Sequence, residues 1–125
     1  MIRQEPASGA KLFLRLDLAS TVRLGPGKIR LLEEIARHGS ISAAGRAMEM
    51  SYRRAWLLVD DLNSSFCVPA VATRLGGVGG GNASVARLGS SIIRAYRGME
   101  GCAAHLAPSL GEADRSMASN FELTG

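Results

Sequence analysis

The sequence predicts a mainly α-helical chain with a small β-wing, the architecture called a winged helix-turn-helix. Two short helical segments adjoin between residues 42 and 66, and Ser51 stands where it can cap the second of them. Strand-like pieces then flank a glycine-rich stretch, residues 76–82, as in a β-hairpin. Helices joined by a tight turn form a helix-turn-helix, and a hairpin after them forms its wing. A length of 125 residues suits one domain with a modest core.

The first residues are predicted to form an arm and a strand. Residues 1–10 are predicted to be a flexible arm, and the domain is predicted over residues 11–107. Within residues 11–18 apolar and polar side chains alternate in part, and this period of two indicates a strand. Residues 19–24 are predicted to be a connector. The apolar face of the strand consists of Leu12, Leu14, Leu16 and Leu18.

A first helix is predicted over residues 26–38. Pro26 suits the first turn of a helix, where its missing N–H group would have no partner. Gly39 suits the left-handed residue that follows the end of a helix. The predicted inner face holds Ile29, Leu32, Ile35 and Ala36, and the outer face holds Lys28, Arg30, Glu33, Glu34 and Arg37.

Two further helices are predicted to form the helix-turn-helix. Ser42 is predicted to cap the second helix of the chain, with Ile41 as a hydrophobic staple, and that helix ends near Glu49. Ser51 caps the third helix, which runs to about Phe66. The small side chains of the second helix allow the two to approach closely. The inner face of the third helix is Ala55, Val59, Leu62 and Phe66, at steps of four, three and four.

The wing and a last helix complete the predicted domain. Strand-like residues 68–75 and 83–88 are predicted to pair, with the glycine-rich stretch as a flexible tip. The last helix is predicted from Ser90 to about Leu106, and residues 108–125 are predicted to be a flexible acidic tail. The last helix has a broad apolar face, which either packs on its own domain or forms a dimer. That face consists of Ile92, Ile93, Tyr96 and Met99.

Positive charge is concentrated in the predicted domain. Residues 25–98 hold ten basic and five acidic side chains, a net charge of +5, whereas residues 99–125 hold one basic and four acidic side chains. Nearly all the basic residues are arginine, which suits phosphates and base edges better than lysine does. A basic body indicates a polyanionic partner.

The third helix carries the most informative surface. A recognition helix buries one face and offers its N-terminal residues to the major groove of DNA. Arginine can bind the O6 and N7 atoms of guanine or clamp a phosphate. The alternative interpretation is that Arg53 and Arg54 form a solvated helix face and that Trp56 lies partly in the core. The predicted helix contacts to double-stranded DNA are Ser42, Ser51, Tyr52, Arg53, Arg54 and Trp56.

The wing supplies a second set of predicted contacts. The backbone N–H groups of a bare glycine tip can approach a DNA phosphate or a narrow minor groove, and the alternative is a plain flexible loop. Leu57 and Leu58, together with Trp56, give the third helix a second apolar side. This side must pack against the N-terminal strand, the last helix or a second subunit, and we favour a homodimer. The predicted wing contacts are Arg74, Gly77, Gly79, Gly80 and Arg87.

Other functions find little support in the residue spacing. Cys67 and Cys102 lie far apart without a CxxC pair, and His38 and His105 do not complete a metal site or a nucleophile–base pair. The glycine-rich stretch lacks the lysine of a phosphate-binding loop, and no helix opens on it. No apolar run approaches the length of a membrane span. The sequence therefore predicts a cytoplasmic protein that does not contact membranes, is not an enzyme and has no identified metal or cofactor site.

Several motifs occur together between residues 24 and 100. They are Gly39-Ser40-Ile41-Ser42-Ala43-Ala44, Met50-Ser51-Tyr52-Arg53-Arg54-Ala55-Trp56, the glycine wing from Gly76 to Gly81, and Leu88-Gly89 entering a helix through Tyr96. Together they resemble the N-terminal winged helix-turn-helix domain of the ModE family of molybdate-responsive transcriptional regulators. The resemblance covers about residues 12–100.

The resemblance implies a DNA-binding dimer that represses or activates operons for molybdate uptake or molybdenum enzymes. It implies that Arg74 and the glycine wing touch the DNA backbone, and that dimerisation uses helices outside the helix-turn-helix. It also implies that five residues of the third helix lie at or near the operator. These residues are Ser51, Tyr52, Arg53, Arg54 and Trp56.

Full-length members of that family carry molybdate-binding domains after the wing domain. We expect residues 101–125 to be too short for such a domain, so molybdate remains an open ligand without an identified site. The sequence thus predicts a one-domain ModE-type regulator without the usual molybdate-sensing domain. The alternative is an oxyanion- or partner-binding dimeric module that has kept the scaffold but not operator recognition, since glycine N–H groups and arginines can hold an anion without DNA.

Overall fold

The computed structural model describes residues 12–18, 22–74 and 82–124, and the side chains of the last range as far as residue 106. Over these residues the chain forms four helices and two antiparallel pairs of strands. The predicted fold class, a winged helix-turn-helix, is confirmed. In chain order the elements are β1 (Leu16–Leu18), β2 (Val22–Leu24), α1 (Pro26–His38), α2 (Ile41–Ala47), α3 (Tyr52–Ser64), β3 (Val71–Arg74), β4 (Asn82–Val85) and α4 (Arg87–Thr124).

The described chain divides into two compact units. One is Leu14–Tyr96, which contains the helix-turn-helix, the wing and the hydrophobic core. The other contains residues 12–13 and 97–124 of the described chain. The predicted division into arm, domain and tail stays a prediction, and the arm, residues 1–10, lies outside the described residues.

Helix α1 begins and ends at the predicted residues. Pro26 occupies its first turn, and Gly39 adopts a left-handed φ of 74° while its N–H group donates to the Ile35 carbonyl at 2.8 Å. Three side chains differ from the pattern, because Ala36 is exposed whereas Leu31 and Glu34 are buried. Since α1 packs against β2, β4, α2 and α3, its buried face is wider than one helical stripe.

The cap of α2 is Ser40, so the predicted cap at Ser42 is wrong. The Ser40 hydroxyl oxygen accepts a hydrogen bond from the Ala43 N–H group at 3.0 Å. Both serines have a suitable side chain, but Ser40 has the extended backbone that a cap needs, with φ −153° and ψ 149°. The predicted cap at Ser51 is confirmed, because its hydroxyl oxygen accepts from the Arg54 N–H group at 3.1 Å.

Helices α2 and α3 approach closely at Gly45. A Cβ atom at this position would lie 3.2 Å from the Cβ atom of Ala55, so a larger residue would push the helices apart. Ala55, Val59 and Leu62 are buried, which confirms the predicted inner face of α3 over these residues. Phe66 follows the end of the helix and packs, half-buried, against the core.

The N-terminal strand pairs with a second strand that the sequence analysis missed. Leu16 lies opposite Leu24 in the antiparallel pair of β1 and β2, so the predicted connector over residues 19–24 is wrong from Val22 onward. A strand of three residues is too short to show an alternating pattern. Leu18 is 43% exposed, because the two-stranded sheet covers only part of the predicted apolar face.

The predicted pair of wing strands is confirmed, but β3 begins at Val71 instead of residue 68, and β4 ends at Val85 instead of residue 88. Strands β3 and β4 are antiparallel, with Arg74 opposite Asn82. The Ala83 N–H group donates to the Gly39 carbonyl at 2.9 Å and thereby joins β4 to the end of α1. The predicted glycine tip falls within residues 75–81, outside the described residues.

Helix α4 is longer than predicted at both ends. It runs from Arg87 to Thr124, so the predicted start at Ser90 and the predicted end near Leu106 are wrong. The residue pattern favoured an end because residues 108–125 are polar, acidic and small. The segment after Pro108 nevertheless contains many strong helix formers, including leucine, alanine, glutamate and methionine, which favour continuation of the backbone helix.

Candidate nucleic-acid interface

Helix α3 presents its first turn to solvent. The four residues from Ser51 to Arg54 are all exposed, while the opposite face of the helix is buried as far as Leu62. Helix α3 is the second helix of the helix-turn-helix, the position of a recognition helix. The exposed turn therefore stands where such a helix offers hydrogen-bonding groups to a partner.

Arg53 lies at the centre of the exposed face. Successive residues of an α-helix turn by about 100°, so Arg53 points about opposite to the buried Leu62. One turn further along the same face is Leu57, whose side chain is 57% exposed. By the same geometry Arg54 lies on one flank of this face and Trp56 on the other. The α3 surface thus combines two arginines with an exposed apolar strip.

Tyr52 and Trp56 form an aromatic pair on one flank of α3. Their rings are perpendicular, with centroids 6.4 Å apart and planes at 78°, and the Trp56 indole N–H group donates to the Tyr52 hydroxyl oxygen. Asn63 lies two turns after Trp56 on the same flank and binds the start of the wing. This flank of the recognition helix therefore faces the base of β3.

Asn63 is a residue that the sequence analysis missed. Its side-chain oxygen accepts from the N–H groups of Ala70 and Val71 at 2.9 and 3.0 Å, and its amide donates to the Val71 carbonyl at 3.0 Å. Three hydrogen bonds from one side chain fix the wing relative to α3. The sequence offered only one sign of this anchoring role: Asn63 is a polar residue near the end of a helix and shortly before a strand.

Some cations of the unit Leu14–Tyr96 pair with a carboxylate, whereas the arginines among the predicted contacts do not. Arg15 pairs with Asp17 at 3.1 Å, Lys28 with Asp61, and Arg37 with Glu34 at 3.1 Å. By contrast, eight exposed arginines have no carboxylate within 4 Å among the described residues, namely Arg23, Arg30, Arg46 and Arg94 and the four arginines among the predicted contacts. The latter four are Arg53, Arg54, Arg74 and Arg87.

Ser42, another predicted contact, lies on α2 instead of capping it. It is half-buried, and its hydroxyl oxygen accepts a hydrogen bond from the exposed Arg46 guanidinium at 2.8 Å. Arg46 was not singled out from the sequence, although its position four residues after Ser42 placed both on one face of the helix. Helix α2 thus also presents a cation beside the turn of the motif.

The described wing residues extend the exposed cationic surface. Arg74 ends β3, and Arg87 is the first residue of α4; both are exposed. A shallow groove runs along the two strands between them. It is lined by Ala72, Thr73, Arg74, Asn82, Ala83 and Ser84. The predicted contacts Gly77, Gly79 and Gly80 lie outside the described residues.

In the part of the chain that the structure describes, no three histidine, cysteine, aspartate or glutamate side chains cluster as a metal site would require. Cys67 and Cys102 are both exposed and form no disulfide. No described helix has the length and apolar character that crossing a bilayer requires.

Comparison with known proteins identifies relatives of the helix-turn-helix region. No protein-family model matches the chain. Over 88 residues it is 44% identical to the molybdenum-pterin-binding protein MopA of Rhodobacter capsulatus, a match that covers 70% of this chain and 33% of MopA. Over 87 residues it is 36% identical to the molybdenum transport protein ModE of Azotobacter vinelandii, which covers 70% of this chain and 32% of that protein.

A third relative is the DNA-binding transcriptional dual regulator ModE of Escherichia coli K12. The two are 34% identical over 87 residues, and the match covers 70% of this chain and 33% of that protein. The resemblance to the ModE family is confirmed. This chain spans about a third of the length of the curated relatives it matches. The similarity therefore concerns a ModE-like domain, and the names of these relatives describe regulation, transport and pterin binding by the longer proteins.

Proposed function

We propose that this ModE-like domain is a sequence-specific DNA-binding transcriptional regulator that controls genes for molybdate uptake or molybdenum enzymes. One observation carries the proposal. The capped first turn of α3 presents Tyr52, Arg53 and Arg54 to solvent, and the two arginines have no described carboxylate within 4 Å. The similarity to a DNA-binding ModE regulator supports the same function. The proposal needs no catalytic step, and it places the protein in the cytoplasm, with the DNA.

Recognition follows from the chemistry of the exposed groups. Arg53 at the centre of the α3 face donates two hydrogen bonds to the O6 and N7 atoms of a guanine in the major groove. Arg54 on the flank, and Arg74 and Arg87 at the wing, bind phosphates, which fix the orientation of the domain without reading sequence. The glycine tip of the wing approaches the DNA backbone.

A homodimer is part of the proposal, because operators read by this motif have two half-sites. Two apolar surfaces are exposed and suited to pairing. Leu57 on α3 is 57% exposed, and on α4 the side chains of Met99 and Leu106 are 42% and 59% exposed. Met99, Ala103 and Leu106 follow at steps of four and three, so they share one face of α4. That face supplies the contact with a second copy.

Fluorescence anisotropy tests the proposal directly. The protein is titrated onto its own promoter and onto a molybdate-transport promoter, with scrambled DNA as the control and with molybdate absent or present. Selective binding supports a regulator, and a shift on adding molybdate identifies molybdate as its signal. Equal affinity for promoter and scrambled DNA would remove the proposal, since any basic surface binds DNA without selectivity.

A single substitution tests the recognition helix. Arg53→Ala is expected to weaken operator binding by about 1–3 kcal/mol and to relax base preference at one position. The control is Arg15→Ala, which removes an exposed arginine that is already paired with Asp17 and is expected to leave operator affinity nearly unchanged. Equal losses in the two variants would show that net charge, and not a contact from α3, governs binding.

A second candidate is an anion-binding module without operator recognition. The specific observation in its favour is the 44% identity to a protein named for binding molybdenum-pterin. The exposed arginines and wing glycines supply N–H donors for an anion. Calorimetric titration with molybdate alone, in the absence of DNA, distinguishes this candidate. Saturable binding together with no promoter selectivity would favour it over the regulator.

A further inference from the structure

Tyr52 and Trp56 hold an unusual position for a pair of aromatic side chains. Their side chains are 57% and 36% exposed, while the core face of the same helix is formed by Ala55, Val59 and Leu62. They lie one turn apart at the start of α3, with perpendicular rings 6.4 Å apart. An exposed aromatic pair contributes little to the core, so its geometry invites a role at the surface.

Counting hydrogen-bonding groups shows what this pair can offer a partner. An indole has one donor, its N–H group, and no acceptor, whereas a phenol has one donor and an acceptor oxygen. The indole N–H group of Trp56 is occupied by the Tyr52 hydroxyl oxygen. Trp56 therefore has no donor left for a base edge. The pair as a whole retains one donor, the O–H group of Tyr52.

We propose that Trp56 is a positioning residue for Tyr52: its indole N–H group fixes the Tyr52 hydroxyl so that the phenolic O–H donates to a hydrogen-bond acceptor of DNA. This inference rests on the proposed function, and it corrects the sequence analysis, which treated the two side chains as separate DNA contacts. The acceptor is either a base-edge atom, such as N7 or O6 of guanine, or a phosphate oxygen.

The flank on which the pair lies also carries the anchor of the wing. Asn63 anchors β3 on the same flank of α3, so Tyr52 and the wing anchor share one side of the recognition helix, and Arg53 lies on its central exposed face. Arg53 and Arg54 rotate about several side-chain bonds. Tyr52, held by Trp56, is the more rigid donor of the first turn and loses less conformational freedom on binding.

Nuclear magnetic resonance tests the hydrogen bond without DNA. The chain contains one tryptophan, so the ¹H–¹⁵N correlation spectrum of the protein contains one indole N–H signal. Tyr52→Phe keeps the ring and removes the acceptor oxygen. The indole proton is expected to move upfield and to exchange faster with water in this variant. An indole signal that stays in place would overturn the inference.

A double-mutant cycle on operator DNA tests the positioning role. Tyr52→Phe is expected to weaken binding about tenfold, as for one lost hydrogen bond to a charged or polarised acceptor. Trp56→Phe keeps an aromatic ring but cannot donate, and we expect a loss of about threefold to fivefold from the freed Tyr52 hydroxyl. The double variant is expected to bind as weakly as Tyr52→Phe alone, because Trp56 acts through Tyr52.

Each outcome of the cycle decides the inference. Additive losses, or a Trp56→Phe variant that binds like the wild type, would overturn it while leaving operator recognition intact. A wild-type protein without promoter selectivity would instead overturn the proposed function and, with it, this inference. A Tyr52→Phe loss that is equal on operator and scrambled DNA identifies the acceptor as a phosphate, and a larger loss on the operator identifies a base edge.

Discussion

Glu34 shows how a single side chain can depart from a helical pattern. The pattern placed it on the outer face of α1, but it is only 5% exposed. Its two carboxylate oxygens face different basic side chains, with Arg37 Nη1 3.1 Å from Oε1 and His38 Nε2 3.8 Å from Oε2. Oε2 has no hydrogen-bond partner among the described residues. The burial of this carboxylate therefore depends on the two basic residues at the end of the helix.

Removal of those two basic side chains is expected to destabilise the protein. The double substitution Arg37→Ala/His38→Ala should lower the free energy of unfolding by roughly 1–3 kcal/mol, because a buried carboxylate is left without a partner. The estimate is at the low end of buried ion pairs because the Arg37 side chain is 71% exposed. Urea denaturation of the wild type and of the double variant measures the difference in their free energies of unfolding.

The matched control adds Glu34→Gln to the double substitution. Both variants then lack the same favourable charges at the C-terminus of α1, so they differ only in the buried carboxylate. The triple variant is expected to recover part of the lost stability, because a neutral amide is less costly to bury than an unpaired carboxylate. A triple variant no more stable than the double variant would show that the lost stability does not come from the unpaired Glu34 carboxylate.

At the scale of elements, the junction of the wing with α4 depends on one glycine. A Cβ atom at Gly89 would lie 2.4 Å from the Ala70 carbonyl oxygen and 2.6 Å from Val85 Cγ1. The first of these neighbours is backbone, and the Ala86 N–H group is bonded to the same carbonyl at 2.9 Å. Helix α4 can therefore start against the base of the wing only if residue 89 lacks a side chain.

Alanine at this position is expected to separate α4 from the wing. Gly89→Ala should lower the free energy of unfolding by roughly 1–3 kcal/mol, since the added methyl group forces a backbone shift. Gly98→Ala in the same helix is the control, because nothing lies within 4 Å of its added Cβ atom. There the substitution should stabilise the protein by about 0.5–1 kcal/mol through helix propensity. Destabilisation of similar size at both positions would contradict the steric explanation.

Elements defined by local chemistry could be predicted from the sequence, whereas those defined by distant contacts could not. The limits of α1 follow from Pro26 and Gly39, whose backbone preferences act within one turn. The choice of Ser40 over Ser42 depends on how α1 ends, and two serines in three residues leave that open. Strand β2 exists through its pairing with β1 and has no pattern of its own.

The candidate interface divides in the same way. Exposure of Arg53 and Arg54 follows from the spacing of the buried residues of α3, so it could be predicted. The anchoring of β3 by Asn63 depends on where the chain returns after the helix, which no local pattern records. The hydrogen bond from Trp56 to Tyr52 changes which of them can donate to DNA, and it depends on side-chain rotamers that residue spacing does not determine.

At the scale of the whole molecule, two successive parts of the chain carry net charges of opposite sign. Residues 25–98 carry a net charge of +5, from ten basic and five acidic side chains, and residues 99–125 carry −3, from one basic and four acidic side chains. The cations of the first part that have no described carboxylate within 4 Å include the arginines of α3 and of the wing. The net charge of residues 25–98 attracts a polyanion, whereas that of residues 99–125 repels one.

The salt dependence of binding measures how that charge is used. The logarithm of operator affinity should fall linearly with the logarithm of salt concentration, because each arginine on a phosphate releases condensed counterions. Arg74→Ala is expected to reduce the slope by about 1 and to weaken operator and scrambled DNA alike, as a phosphate contact does. Arg53→Ala should instead lower the ratio of operator to scrambled affinity, because it removes a contact to a base edge. If the two variants changed slope and selectivity equally, the assignment of base reading to α3 and phosphate binding to the wing would be wrong.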